Sequence, residues 1–229
     1  MQRLRTLLAR NLNISNKKAD ELIHSGKVLV NGETQSPVWK LDGTEEVTLD
    51  GDPIQQKMQF NYVLFYKPRG IECTLNEGIE NNLKTVFDFP ARLYPVGRLD
   101  KESEGMLIMT DDGELYNAIA RSEKLKEKEY VVTVHKEIDE DFIFRMSNGI
   151  EILGKKTREC KVWSVNGDPF SFHIILTQGI NRQIRRMCYK LGFGVRKLVR
   201  IRISELKLDL KEGEWRKLST NEIRSLKGN

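Results

Sequence analysis

Leu4, Leu7 and Leu8 recur at helical spacing among arginines, which predicts a short amphipathic helix over residues 3–11. Ser15 stands as an N-cap before NKKADELIHS, with Leu22 and Ile23 on the inner face and Gly26 at the end. KVLVNGE then reads as a strand entering an Asn31-Gly32 tight turn, and EEVTLDGDPI as a second strand closing with a polar turn. The pattern so far describes a small module of two helices and a hairpin. DGDPIQQKMQF, residues 50–60, is polar and turn-rich and reads as a linker.

Beyond it the pattern becomes strand-rich. NYVLFYKP, MLIMT and EKEYVVTVHK read as strands, as do TRECKVWSV and FSFHIILTQ on either side of an Asn166-Gly167 turn. GELYNAIAR and DEDFIFRMSNGI read as helices, the second ended by Gly149. NRQIRRMCYKLGF predicts a helix with Ile184, Met187, Cys188 and Leu191 inward and its arginines outward, and VRKLVRIRISELKLDL a strand-rich ending. Strands outnumber helices and mostly follow one another, so the expected fold class is α+β with a largely antiparallel or mixed sheet. No G-x-G-x-x-G or P-loop is present, so nucleotide cofactors are not indicated.

Charge changes the picture more than composition does. The net charge of the 229 residues is only +5, but it is unevenly spread. Residues 1–27 hold six Lys/Arg against two acids, and residues 178–204 hold eight and no acid. Two separate basic surfaces point to a polyanion, most simply nucleic acid, over two merely solvated helix faces. Three scattered cysteines and three scattered histidines argue against a disulfide framework and a metal site. Apolar runs are too short to span a bilayer and the N-terminus carries charges through its apolar positions, so a cytoplasmic protein is expected, without membrane partners and monomeric.

The N-terminal module resembles the S4 RNA-binding domain, whose signature runs through a second helix into G-x-V-x-V-N-G. Ala19, Ile23, Gly26, Val28, Val30, Asn31 and Gly32 carry the match. Where that family has an arginine after the capping serine, this chain has Asn16 followed by Lys17 and Lys18. The resemblance implies phosphate contacts from Arg3, Lys17, Lys18 and Lys27, which give affinity with little sequence choice. The expected organisation is an S4-like domain over 1–52, a linker over 53–60, and a catalytic domain over 61–229.

The stretch that calls for chemistry is GRLDKESEG, residues 97–105, where Asp100 sits two residues after Arg98 with a glycine at either end. Alone, an R-x-D is a salt-bridged turn. Three further stretches change that reading: YKPRG at 66–70, KEY at 128–130 and QGINRQIRRMC at 178–188. Together the four resemble the motifs of the RNA pseudouridine synthases, in the RsuA/RluB/RluF branch that carries an N-terminal S4 domain, and most nearly its RluF-like members. Tyr66 stands where that family usually has asparagine. The resemblance implies isomerisation of a uridine to pseudouridine in structured RNA, large-subunit (23S) ribosomal RNA first, with 16S rRNA or a tRNA anticodon arm as alternatives.

That reaction breaks a C–N glycosidic bond, turns the uracil over and joins C5 to the same sugar carbon. It needs no redox partner and no outside group, so no cofactor or metal is expected. It needs a carboxylate that attacks or stabilises an electron-poor centre, and Asp100 is the candidate. By resemblance Arg185 is its ionic partner; at about 4 Å such a pair is worth roughly 4 kcal/mol at an effective dielectric of 20. Tyr130 would stack on the uracil and assist removal of the C5 proton. Arg98 would occupy the space left by the flipped base or hold a flanking phosphate, and Lys67 is a phosphate-contact candidate. Arg182 and Arg186 would bind RNA from the arginine-rich helix. Asp111, Asp112 and Glu114 read as a turn capping a helix at Glu114 rather than as a second acid site. A noncatalytic S4-type ribosome-assembly factor would keep the basic patches without needing Asp100, Tyr130 and Arg185 together. A nuclease would want clustered acids or paired histidines.

Overall fold

In the computed structural model, which describes residues 2–56, 59–120 and 126–228, the N-terminal leucine pattern becomes helix α1 (Leu4–Asn11) and the Ser15-capped segment becomes α2 (Asn16–His24). The Ser15 hydroxyl accepts the Lys18 N–H, as a cap should. Strand β1 (Val28–Val30) turns through Asn31 and Gly32, both left-handed at φ 50° and 83°, and pairs on its other side with β2 (Val47–Leu49). Leu4, Leu7, Leu8, Ala19, Ile23 and Val28 close a core of their own.

This unit comprises the chain up to Asn61 together with Phe89–Tyr94. The described residues of the expected 53–60 linker belong to this unit. The Ile54 N–H donates to Val47 O at 2.7 Å, its side chain packs on the core, and the Arg10 guanidinium lies 4.5 Å from the centre of the Phe60 ring. Polar composition hid two apolar anchors, Ile54 and Phe60. Residues 57 and 58 of the expected linker lie outside the described residues.

The second unit, Tyr62–Asp88 with Pro95–Asn229, is built on one mixed sheet. Its main strands are β3 (Tyr62–Lys67), β4 (Glu104–Thr110), β5 (Lys128–Val134), β6 (Lys161–Val165), β7 (Asp168–Leu176), β8 (Val195–Ile203) and β9 (Trp215–Lys217). In space they run β6-β7-β5-β8-β4-β3-β9. Only the β8–β4 contact along that path is parallel. β4 is buried at every position, which its near-continuous apolar run EGMLIMT anticipates.

Helices α3 (Gly113–Ala120), α4 (Glu140–Ser147), α5 (Gln183–Lys190) and α6 (Thr220–Lys227) complete the unit. Val132, Phe142, Phe172, Ile184 and Met187 form one core around β5, β7, α4 and α5. Leu64, Met106, Ile108, Leu115 and Leu226 form a second around β3, β4, α3 and α6. The helix expected over GELYNAIAR includes Arg121, which lies outside the described residues. β9 and α6 were not anticipated, although Ser219 and Glu222 form a reciprocal capping box readable as S-x-x-E. Asp112, not Glu114, supplies the cap of α3: its carboxylate accepts the Glu114 N–H at 2.8 Å and receives Tyr62 Oη at 2.7 Å and Lys227 Nζ at 2.8 Å.

Candidate active site

The loop Gly97–Ser103 leads into β4, and the glycines bounding the GRLDKESEG stretch have physical reasons. Gly97 is left-handed at φ 72°. Gly105 lies opposite Arg200 in the parallel β4–β8 register, and a Cβ on it would stand 2.4 Å from Arg200 O. No other residue fits there without moving a strand.

Between them Asp100 is half-buried and lines a cleft of ≈980 Å³, together with Arg98, Tyr130, Gln178, Arg182 and Arg200. Tyr130 on β5 and Arg200 on β8 are directly paired across the strands. One region of the fold thus brings together Asp100, Arg98, Tyr130 and Arg182 from separate parts of the sequence.

The backbone carrying Asp100 is tied down from several sides. The Ser103 N–H donates to Asp100 O at 3.0 Å, and the Gly70 N–H to Lys101 O at 2.8 Å. From α5, Arg185 Nη2 donates to Glu102 O at 2.9 Å and to Ser103 Oγ at 3.2 Å. Arg182 pairs with Glu102 at 2.8 Å. Arg185 therefore grips the loop after Asp100, not the carboxylate; among the described residues no cation lies within 4 Å of Asp100. The direct pair expected from sequence is replaced by a through-space one: burial opposes the charge of Arg185, and the negative charges of Glu102 and Asp100 favour it.

Lys67 is corrected. It is 0% exposed, and its ammonium donates to Pro68 O and Ile71 O, each at 2.8 Å. It cannot meet a phosphate, because its place in β3 points it inward. Burial pushes its pKa down to about 8. Its work is to hold the Pro68–Ile71 turn, from which the Gly70 N–H reaches the Asp100 loop. Tyr66, where asparagine was expected, donates its hydroxyl to Glu104 at 3.0 Å.

Three cleft groups escaped the sequence reading. Arg200 is 2% exposed; its Nε donates to Met106 O at 2.7 Å, while one terminal nitrogen is buried without a partner. Gln178 likewise has a buried, unpartnered amide nitrogen. Lys128, two residues before Tyr130, is lowered to about 8 by burial and by the Arg200 charge. The signal for Lys128 and Arg200 was alternation along β5 and β8, which puts Lys128 with Tyr130 and Arg200 with Leu198 on the cleft side. Buried donors lacking partners suit a ligand rich in acceptors. In the other unit Arg3, Lys17, Lys18 and Lys27 are all exposed; Lys18 pairs with Glu21 and Lys27 with Asp50 at the surface. Arg186 is half-buried and donates to Asn181 O.

The family model for RNA pseudouridylate synthase matches residues 61–190, the part of the chain that builds most of this cleft. Among curated proteins, the dual-specificity RNA pseudouridine synthase RluF of Escherichia coli K12 is 39% identical over 96% of this chain and 77% of its own length. The ribosomal large subunit pseudouridine synthase B of Bacillus subtilis is 32% identical over 99% of this chain and 96% of its own. The ribosomal small subunit pseudouridine synthase A of Pasteurella multocida is 30% identical over 96% and 97%. A crystal structure of a pseudouridylate synthase superposes with a TM-score of 0.69 at 27% identity, covering 99% of this chain and all of that one. The chain belongs to the RNA pseudouridylate synthase family, and its chemistry is the isomerisation of uridine in RNA.

Proposed function

We propose that the chain isomerises a uridine in large-subunit ribosomal RNA with Asp100 as the acting carboxylate. The observation that carries this reading is the half-buried Asp100, free of any ion pair among the described residues, on a loop fixed by Gly70, Arg182 and Arg185. A carboxylate neutralised by a direct partner would be a poorer nucleophile. One left without a direct partner keeps its oxygens available to attack.

The target uridine flips from its stack into the cleft, at a cost of a few kcal/mol, and Arg98 fills the space it leaves. Its base stacks on Tyr130. Asp100 bonds to C1′ as the C1′–N1 bond breaks; the uracil turns; C5 bonds to C1′ as the Asp100–C1′ bond breaks and frees the carboxylate; and the C5 proton leaves, with Tyr130 assisting, while N1 gains one. Atoms balance without an outside reagent. Arg185 is a positioning residue that keeps the Asp100 loop in place. The N-terminal unit, with Arg3, Lys17, Lys18 and Lys27 exposed, docks RNA through phosphates.

Large-subunit RNA is favoured because the Bacillus subtilis relative is named for it, at slightly higher identity than the relative named for the small subunit, and because the motif resemblance to RluF-like members implies it. Sequencing total RNA from cells with and without the protein, using a pseudouridine-specific chemical probe, tests the target. A site lost from large-subunit RNA is the expected result; a site lost only from small-subunit RNA or tRNA contradicts it.

A further inference from the structure

The outer side of α5 does something the cleft does not need. Its inner side buries Ile184, Met187 and Cys188, while Tyr189 is 80% exposed. The Tyr189 side chain makes no hydrogen bond or ring contact among the described residues. Beside it, the short hairpin Glu151–Ile152 with Lys155–Lys156 turns through Leu153 and Gly154 at φ 52° and 72°. Two left-handed residues in succession make the turn type that asparagine-glycine serves best, and leucine is disfavoured there. Leu153 is also 61% exposed. It gains neither backbone comfort nor burial, so folding alone does not explain it.

Leu153 and Tyr189 line one surface hollow of ≈520 Å³ with Arg182, Arg186 and Lys190, and no acid lines it. Arg182 lines both this hollow and the Asp100 cleft. An exposed aromatic face, an apolar edge and several cations in a hollow without acids match a nucleotide: a planar base and its phosphate. Ile152 beside Leu153 gives the hollow a single apolar edge, and Arg185 adds a fourth cation, a balance that suits a phosphate-bearing ligand better than an apolar protein surface.

We propose that this hollow is a second nucleotide site, holding an unstacked nucleotide of the same RNA that flanks the target uridine. Its base stacks on Tyr189 against Leu153, and its phosphate is held by Arg186 and Lys190. The inference rests on the RNA-modifying reading above. Stacking is indifferent to base identity, so the site adds affinity and register without adding sequence choice.

The test uses the full chain and an unmodified transcript of large-subunit ribosomal RNA. Tyr189→Ala should weaken binding by roughly 5- to 150-fold, leave the salt slope unchanged, and leave the saturating single-turnover rate at wild-type level. Tyr189→Phe should bind as wild type does, and Lys190→Ala should lower the salt slope by about 0.7. Leu153→Asn should raise the melting temperature by relieving the turn, yet weaken RNA binding severalfold. A merely structural leucine would not move stability and affinity in opposite directions. If the wild type modifies the transcript and Tyr189→Ala binds it within twofold of wild type, the second site is refuted and the isomerase reading stands. If the wild type neither binds nor modifies it, the large-subunit target and this site fall together.

Discussion

At the scale of single residues, the proposed function separates groups that would meet the base from groups that hold them in place. Tyr130 is proposed to be of the first kind. Tyr130→Phe keeps the stacking face and loses the hydroxyl, so RNA affinity should stay near wild type while turnover slows at least about tenfold in single-turnover assays. Full activity of Tyr130→Phe with an inactive Tyr130→Ala would reduce the residue to a stacking platform. Lys67 belongs to the second kind. Lys67→Met leaves Pro68 O and Ile71 O without their donor, which should cost about 1–3 kcal/mol in urea unfolding. The salt slope of RNA binding should not change, because Lys67 holds no phosphate. That Asp100 and Tyr130 line one cleft, with Arg185 reaching the loop after Asp100, was legible in sequence because four motifs coincided. The buried state of Lys67 was not, since a lysine between a strand and a Pro-Arg-Gly turn reads as exposed until the inward register of β3 is known. The unpaired Asp100 was hidden for a similar reason: the motifs bring Arg185 near, but its fork bonds a carbonyl and a hydroxyl instead.

At the scale of elements, strands and caps were legible where local chemistry was explicit: Ser15, Asn31-Gly32, and the apolar run of β4. What escaped depended on distant pairing. β9 is three residues long, and its place at the sheet edge beside β3 is fixed by nothing local. Its tie to α6 is electrostatic. Arg216 donates to Glu222 at 2.7 Å, and this hydrogen bond, against the opposing effect of burial, draws the Glu222 pKa down to about 2. A carboxylate with a depressed folded pKa stabilises the fold above its unfolded value, near 4.5, and loses that contribution as pH falls toward 2. Unfolding free energy should therefore decline across that window. Glu222→Gln should flatten the decline and, with solvent screening of this partly exposed pair allowed for, cost about 1–2 kcal/mol at neutral pH. A wild-type curve with no slope below pH 4.5 would contradict the tie.

At the scale of the molecule, the proposed function gives chemistry and docking to different units. Replacing Lys17, Lys18 and Lys27 with alanine removes exposed cations from the N-terminal unit. It should raise KM on structured RNA and lower the salt slope by about 0.7–0.9 for each phosphate no longer held, with the saturating single-turnover rate nearly unchanged. The basic surfaces themselves were legible from charge distribution, but the end of the first unit was not, because Ile54 and Phe60 sit in a polar stretch. The central claim is that Asp100 performs the isomerisation, and single-turnover formation of pseudouridine by Asp100→Asn on saturating RNA tests it most directly. Wild-type RNA affinity and salt slope with no detectable pseudouridine are expected; product formed at near wild-type rate would contradict the assignment.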